Sequence, residues 1–146
     1  MMKVLFDTNI LVASTIEAHP HHSISLPWIQ QVRNRIIQGY ISTHSIAELY
    51  AVMTRIPLAQ PLNPQQIYEL IVNNLESFHP VDLESNDYLE IIRNVAILNI
   101  TGGGIYDAII AQAALKANVD MLLTMNSKHF TRLGENIARL VREPSF

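Results

Sequence analysis

The chain has 146 residues, 49% hydrophobic and 16% charged, with a formal net charge of −3 and no cysteine. This composition excludes wholesale disorder, disulfides and thiolate metal sites, and it lacks the basic footprint of a duplex-DNA binder. The missing cysteine fits a reducing cytoplasm, the start Met1-Met2-Lys3-Val4-Leu5-Phe6-Asp7 turns acidic too soon for a signal peptide, and no run approaches the roughly 18 apolar residues of a membrane span.

The length predicts one domain over residues 1–146. Its charged fraction lies below the usual quarter, which leaves apolar surface for a partner. Val4-Leu5-Phe6 reads as a short buried strand, followed by a helix through Ile10-Leu11-Val12 to about His19-Pro20. Ser25 to Gln38 reads as a second helix, with Pro27 in its first turn and Gly39 as its stop. Tyr40 to Thr43 is the next strand, and Ser45 to Arg55 a helix. Asn63 caps a helix that starts at Pro64 and runs to about Ser77. Val81 to Leu83 is a brief strand, and Ser85 caps an amphipathic helix through Tyr88, Leu89, Ile92 and Val95.

Thr101-Gly102-Gly103-Gly104 is a loop opening into a helix from Ile105 to about Asn118, apolar nearly all round and therefore central. Met121-Leu122-Leu123-Thr124 is a buried strand. Short apolar strands alternating with longer helices predict an α/β fold, a parallel sheet covered on both faces. Ligands of such sheets bind outside the carboxyl ends of the strands. Asp7 and the segment after Thr124 both fall there.

Three acids interrupt stretches that otherwise read as buried: Asp7 after Val4-Leu5-Phe6, Glu48 within Ala47-Glu48-Leu49, and Asp107 in Tyr106-Asp107-Ala108. An unpaired buried carboxylate costs several kcal/mol or neutralises, so three of them suggest a shared cation. Hard divalent ions take such oxygen ligands. Each acid also has a plain structural reading: Asp7 as a helix N-cap, Glu48 and Asp107 as first-turn helix acids. The glycine run has neither phosphate-loop fingerprint, and no nucleophile elbow is present. Of the six histidines, His19, His21 and His22 flank Pro20 and read as solvated corner residues. Lys128, Arg132, Arg139 and Arg142 make the C-terminal part basic, a rim suited to a polyanion.

The motifs Leu5-Phe6-Asp7-Thr8-Asn9, Ala47-Glu48-Leu49, Tyr106-Asp107-Ala108 and Leu122-Leu123-Thr124-Met125-Asn126-Ser127-Lys128-His129-Phe130 fall in the order of a known family. From Lys3 to about Val141 the chain resembles the PIN-domain ribonucleases, many of them VapC-type toxins of toxin–antitoxin pairs. The resemblance implies a Rossmann-like α/β/α sandwich and an endoribonuclease dependent on Mg²⁺ or Mn²⁺. By position, Asp7, Glu48 and Asp107 would be its catalytic and metal-binding acids. Thr8, Asn9 and Thr124 would orient acids or water through hydrogen bonds. Lys128 and Arg132 would touch RNA. An antitoxin protein and a homodimer are the partners the resemblance implies. The sequence departs from the fullest pattern at the fourth acid: Asn126 and His129 stand where many members carry an acid. Asn126 offers a neutral oxygen, which leaves one metal or two open. The alternatives are an RNA-binding PIN module that does not cut, and a small phosphatase using the same acids.

Overall fold

A computed structural model describes residues 1–145. Five strands form one sheet in the order β3-β2-β1-β4-β5, every neighbouring pair parallel. The strands are β1 (Lys3–Phe6), β2 (Gln38–Ser42), β3 (Phe78–Val81), β4 (Met121–Leu123) and β5 (Val141–Arg142). The helices are α1 (Thr8–Thr15), α2 (His22–Arg33), α3 (Thr43–Met53), α4 (Pro64–Leu75), α5 (Ser85–Ile97), α6 (Gly104–Lys116), α7 (Ser127–Thr131) and α8 (Glu135–Ala138). Among the described residues no helix is long and apolar enough to cross a membrane.

Side chains of β1 alternate between two cores, because successive residues of a strand point to opposite faces. Val4 and Phe6, with Leu123, pack with residues of α1 to α4. Leu5 and Leu122 pack with Ile110, Ala111, Ala113 and Ala114 of α6, with Phe130 and with Ile137. Both faces of the central strands are thus dry, as their unbroken apolar runs predict. The near-uniform apolarity of α6 has the same origin: its alanines allow close approach to the sheet while Ala108 and Ile109 meet Ile91 and Val95 of α5.

Several element ends differ from the sequence reading. α1 stops at Thr15, well before Pro20; Ser14 and Thr15 turn their hydroxyls back onto the Leu11 carbonyl, and Ile16 leaves the helix in an extended conformation. α2 starts earlier and ends at Arg33. Gly39 is therefore no helix stop. It lies in β2, where an added Cβ would come within 2.9 Å of both Phe78 and Val32. The requirement is close packing beneath a ring that itself meets Phe6 edge-on at 5.2 Å. β3 begins at Phe78 and contains Pro80, which an edge strand accommodates because its outer N–H groups need no partner.

Asn63 and Gln66 cap α4 reciprocally, each side chain accepting from the other's backbone N–H at 2.9 Å. The cap residue of α5 is Glu84 rather than Ser85, its N–H donating to the Asp87 carboxylate at 2.8 Å. The last segment, read only as a basic rim, holds α7, α8 and the two-residue β5.

Candidate active site at the carboxyl edge of the sheet

β1 is the strand from which the chain first builds one flank of the sheet, through β2 and β3, and β4 then starts the other flank. The carboxyl ends of β1 and β4 border the crevice that such a reversal opens. Asp7 follows β1 directly and Thr124 follows β4. The backbone N–H of Asp7 donates to the Leu123 carbonyl at 2.9 Å, which fixes the two ends side by side.

Asp7 is 6% exposed. One carboxylate oxygen accepts from the Thr8 N–H at 2.7 Å and the other from the Thr124 hydroxyl at 2.7 Å. Thr124, itself fully buried, accepts in turn from the Asn126 N–H at 3.0 Å. Burial pushes the Asp7 carboxyl up to about 6; the hydrogen bonds from Thr124 and Thr8 oppose that shift, and the charges of Asp107 and Glu48 add to it. Asp7 is thus also the N-cap of α1. The capping reading and the site reading hold together, since one oxygen serves Thr8 and the acid still faces the crevice.

Glu48 lies mid-helix on α3, not in its first turn, so the helix dipole does not account for it. α3 is positioned by the Ser42 hydroxyl, which accepts from the Ser45 N–H at 3.3 Å, and by the bond from the Thr8 hydroxyl to the Ser45 hydroxyl at 2.9 Å. Asp107 lies in the first turn of α6. Burial raises its carboxyl, His129 and Arg132 oppose the rise, and Glu48 adds to it. Asp7, Glu48 and Asp107 line a single pocket of about 310 Å³ together with Thr8, Asn9, Val12, His19, Val52, Ile56 and Asn126.

The acids do not grip one point as they stand. Among the described residues no three His, Asp or Glu side chains cluster at ligand separations. Each acid is instead turned to its own partner. Glu48 faces His44 at 3.6 Å, and Asp107 faces His129 at 3.7 Å and Arg132 at 4.0 Å. In donor chemistry the set fits a hard divalent cation: three carboxylates, the Asn126 amide and no sulfur.

Asn9 lines the pocket beside Asp7. Its side-chain oxygen accepts from the Met125 N–H at 3.4 Å and so ties down the loop after β4. The Asn126 side chain makes no capping bond at the start of α7 and lines the pocket instead. Arg132 reaches the site beside Gly104, where an added Cβ would stand 2.9 Å from its guanidinium. Lys128 lines a neighbouring hollow with Asn126, His129 and Glu143. Arg142 turns away, donating to the Val141 and Arg139 carbonyls.

Two residues of the site escaped the sequence reading. His19, taken as a solvated corner residue, reaches the pocket wall; burial, then His21 and His22, lower its imidazole. His44 stands one turn before Glu48 and stacks on Tyr106, ring centroids 5.1 Å apart and planes 7° from parallel. The i,i+4 spacing to Glu48 was the available signal.

The PIN domain family matches residues 4–136. The chain belongs to that family. Among curated relatives, this PIN domain is similar to Ribonuclease VapC27 of Mycobacterium tuberculosis, 29% identical over 79% of each chain. It is also similar to Ribonuclease VapC40 of that organism, 26% identical over 80% of this chain and 81% of the relative. Of solved structures, VapBC2 from Rickettsia felis, bound to a promoter DNA fragment, superposes with a TM-score of 0.70 at 20% identity, covering 99% of this chain and 100% of the other. FitAcB from Neisseria gonorrhoeae gives 0.62 at 18% identity, covering 94% and 95%. At those identities the superpositions establish the fold: the five-stranded parallel sheet flanked by helices is the PIN architecture.

Proposed function

We propose that the chain is a single PIN domain over residues 1–146 acting as a Mg²⁺- or Mn²⁺-dependent endoribonuclease, the toxin of a toxin–antitoxin pair. The observation that carries this reading is the meeting of Asp7, Glu48 and Asp107 in one pocket at the sheet's carboxyl edge, with the Asp7 carboxyl raised to about 6. The ribonuclease names of the curated relatives support the substrate class. The VapBC2 toxin–antitoxin complex supports an antitoxin partner. Exposed apolar side chains on α4 (Tyr68, Val72) and on α5 (Leu89, Ile92, Ile97) support that partner and a homodimer.

Asp7, Glu48 and Asp107 would hold the cation, with the neutral Asn126 oxygen as a further donor. A bound divalent cation supplies a lowered pKa for water and charge stabilisation on the leaving oxygen. The chain's own residues set the geometry. Thr124 and Thr8 fix both oxygens of Asp7, so this acid approaches the pocket in one orientation. With its carboxyl raised to about 6, Asp7 would hold a proton in acid solution, and cation occupancy would fall as pH drops through that value. Glu48 and Asp107, which line the same pocket, would supply further carboxylate oxygens to the cation. Arg132, beside Asp107, and Lys128, in the neighbouring hollow, would meet the backbone phosphates of RNA.

Purified protein incubated with mixed RNAs and Mn²⁺ should cut them, chelator should stop the cutting, and Asp7→Asn should abolish it with the fold intact. Mn²⁺ should also raise the melting temperature of the wild type by mass action, and that of Asp7→Asn less. RNA bound but left whole in Mn²⁺ would reject the nuclease reading in favour of a binding module.

A further inference from the structure

We infer that Tyr106, backed by His44, is a stacking platform for an unpaired base of the RNA. This rests on the ribonuclease reading above. Tyr106 lies directly before Asp107, yet its ring joins none of the hydrophobic clusters of the described residues. One face is covered by the nearly parallel His44 ring, and the residue remains 50% exposed. A large aromatic ring held flat at its back and open to solvent on the remainder contributes little to a core. It has the form of a surface on which a flat ligand stacks.

His44 is the positioning residue. It stands on α3, one turn before Glu48, while Tyr106 stands on α6 beside Asp107, so the ring pair joins the two helices that carry two of the acids. The His44 Nε2 is buried, has no hydrogen-bond partner, and is 3.6 Å from the Glu48 carboxylate. The His44 ring is thus held between the Tyr106 ring and the Glu48 carboxylate. The ring pair adjoins the acids through the His44–Glu48 contact, so a base on the open side of Tyr106 would lie at the border of the acidic pocket. Bases inside a duplex have no free face to offer, whereas unpaired bases do. Stacking accepts any base, so the platform selects for strand state and leaves sequence to other contacts.

The test measures binding of a short fluorescent single-stranded RNA, and of the same oligomer with abasic nucleotides, in an Asp7→Asn background with Mn²⁺. Tyr106→Ala and Tyr106→Leu should each weaken the base-bearing RNA about 5- to 100-fold and leave the abasic oligomer unchanged. Tyr106→Trp should retain affinity, as should His44→Phe, which preserves the ring pair; His44→Ala should lose it. Equal losses for both oligomers, or no loss from either Tyr106 variant, would overturn the platform. Leucine keeps apolar bulk at the position, which protects the result against a folding defect in the alanine variant. Cleavage by the otherwise wild-type protein is scored separately. Cleavage with an unaffected Tyr106→Ala removes the platform alone, whereas no cleavage and no binding remove the ribonuclease reading with it.

Discussion

Asp7→Asn should make the metal-free protein more stable at neutral pH while removing its activity. The folded carboxyl stands at about 6 against a reference of 3.8, a gap of about 2 pH units worth about 3 kcal/mol. With 6% exposure, solvent offers little relief. The native state binds the extra proton, so wild-type stability rises as pH falls from 6 toward 3.8, and the full penalty applies above 6. Asparagine removes the charge but presents an N–H₂ where the Thr124 hydroxyl now donates, leaving that hydroxyl hydrogen without an acceptor at about 1 kcal/mol. The net gain at pH 8 is about 2 kcal/mol, or about 4–8 °C in Tm for a chain of this size. Below pH 4 the order should invert, with Asn less stable by about 1 kcal/mol. Urea unfolding of both proteins in chelator at pH 4, 6 and 8 measures the difference, and taking it at each pH cancels the titrating groups that do not feel Asp7, leaving Asp7 and its neighbours Asp107 and Glu48. A difference that does not change with pH, or an Asn variant less stable at pH 8, would refute the assignment of a raised carboxyl to Asp7.

Thr124→Val keeps the shape and removes the hydroxyl that holds Asp7 down, so the acid limb of the cleavage pH profile should move upward; an unchanged limb would place the limiting ionisation elsewhere. Asn126→Asp adds a formal charge to the pocket wall and should lower the Mn²⁺ concentration for half-maximal cleavage, whereas unchanged metal dependence would leave Asn126 outside the donor set. Gly39→Ala forces a methyl against Phe78 and Val32 and should cost about 1–3 kcal/mol in urea unfolding, with divalent-dependent cleavage retained by the folded fraction.

The site was legible where a polar residue broke an apolar pattern. Asp7 stood out because Val4-Leu5-Phe6 needs burial on both faces, and Glu48 and Asp107 because each directly precedes a core residue, Leu49 and Ala108. The cap at Asn63 was legible for a local reason: its bonds run within four residues. Gly39 misled because one residue type serves two needs, a helix end and a close approach. Only the fold reveals that Phe78 lies above it. β5 was hidden because two residues carry no periodicity. His44 and Tyr106 are 62 positions apart by number, and their stacking exists only once α3 and α6 pack. His19 reaches the pocket because α1 ends at Thr15 and sends the chain back over the crevice, which no residue type near Pro20 announces.

The bond between Thr124 and Asp7 spans 117 residues of sequence, which gives the site a place in time as well as in space. β1 is made first, but its β4 neighbour is among the last strands to be synthesised. Until residue 124 is released, one edge of β1 is open and Asp7 has no hydroxyl to orient it. A growing chain therefore carries all three acids well before it carries a finished site, since Asp107 also precedes β4. If domains assemble as units during synthesis, the ribosome making this protein is spared contact with a working nuclease until the chain is nearly complete. A truncation ending at residue 120 should be unable to cut RNA even with every acid present; cleavage by such a fragment would break the link between strand order and the onset of activity.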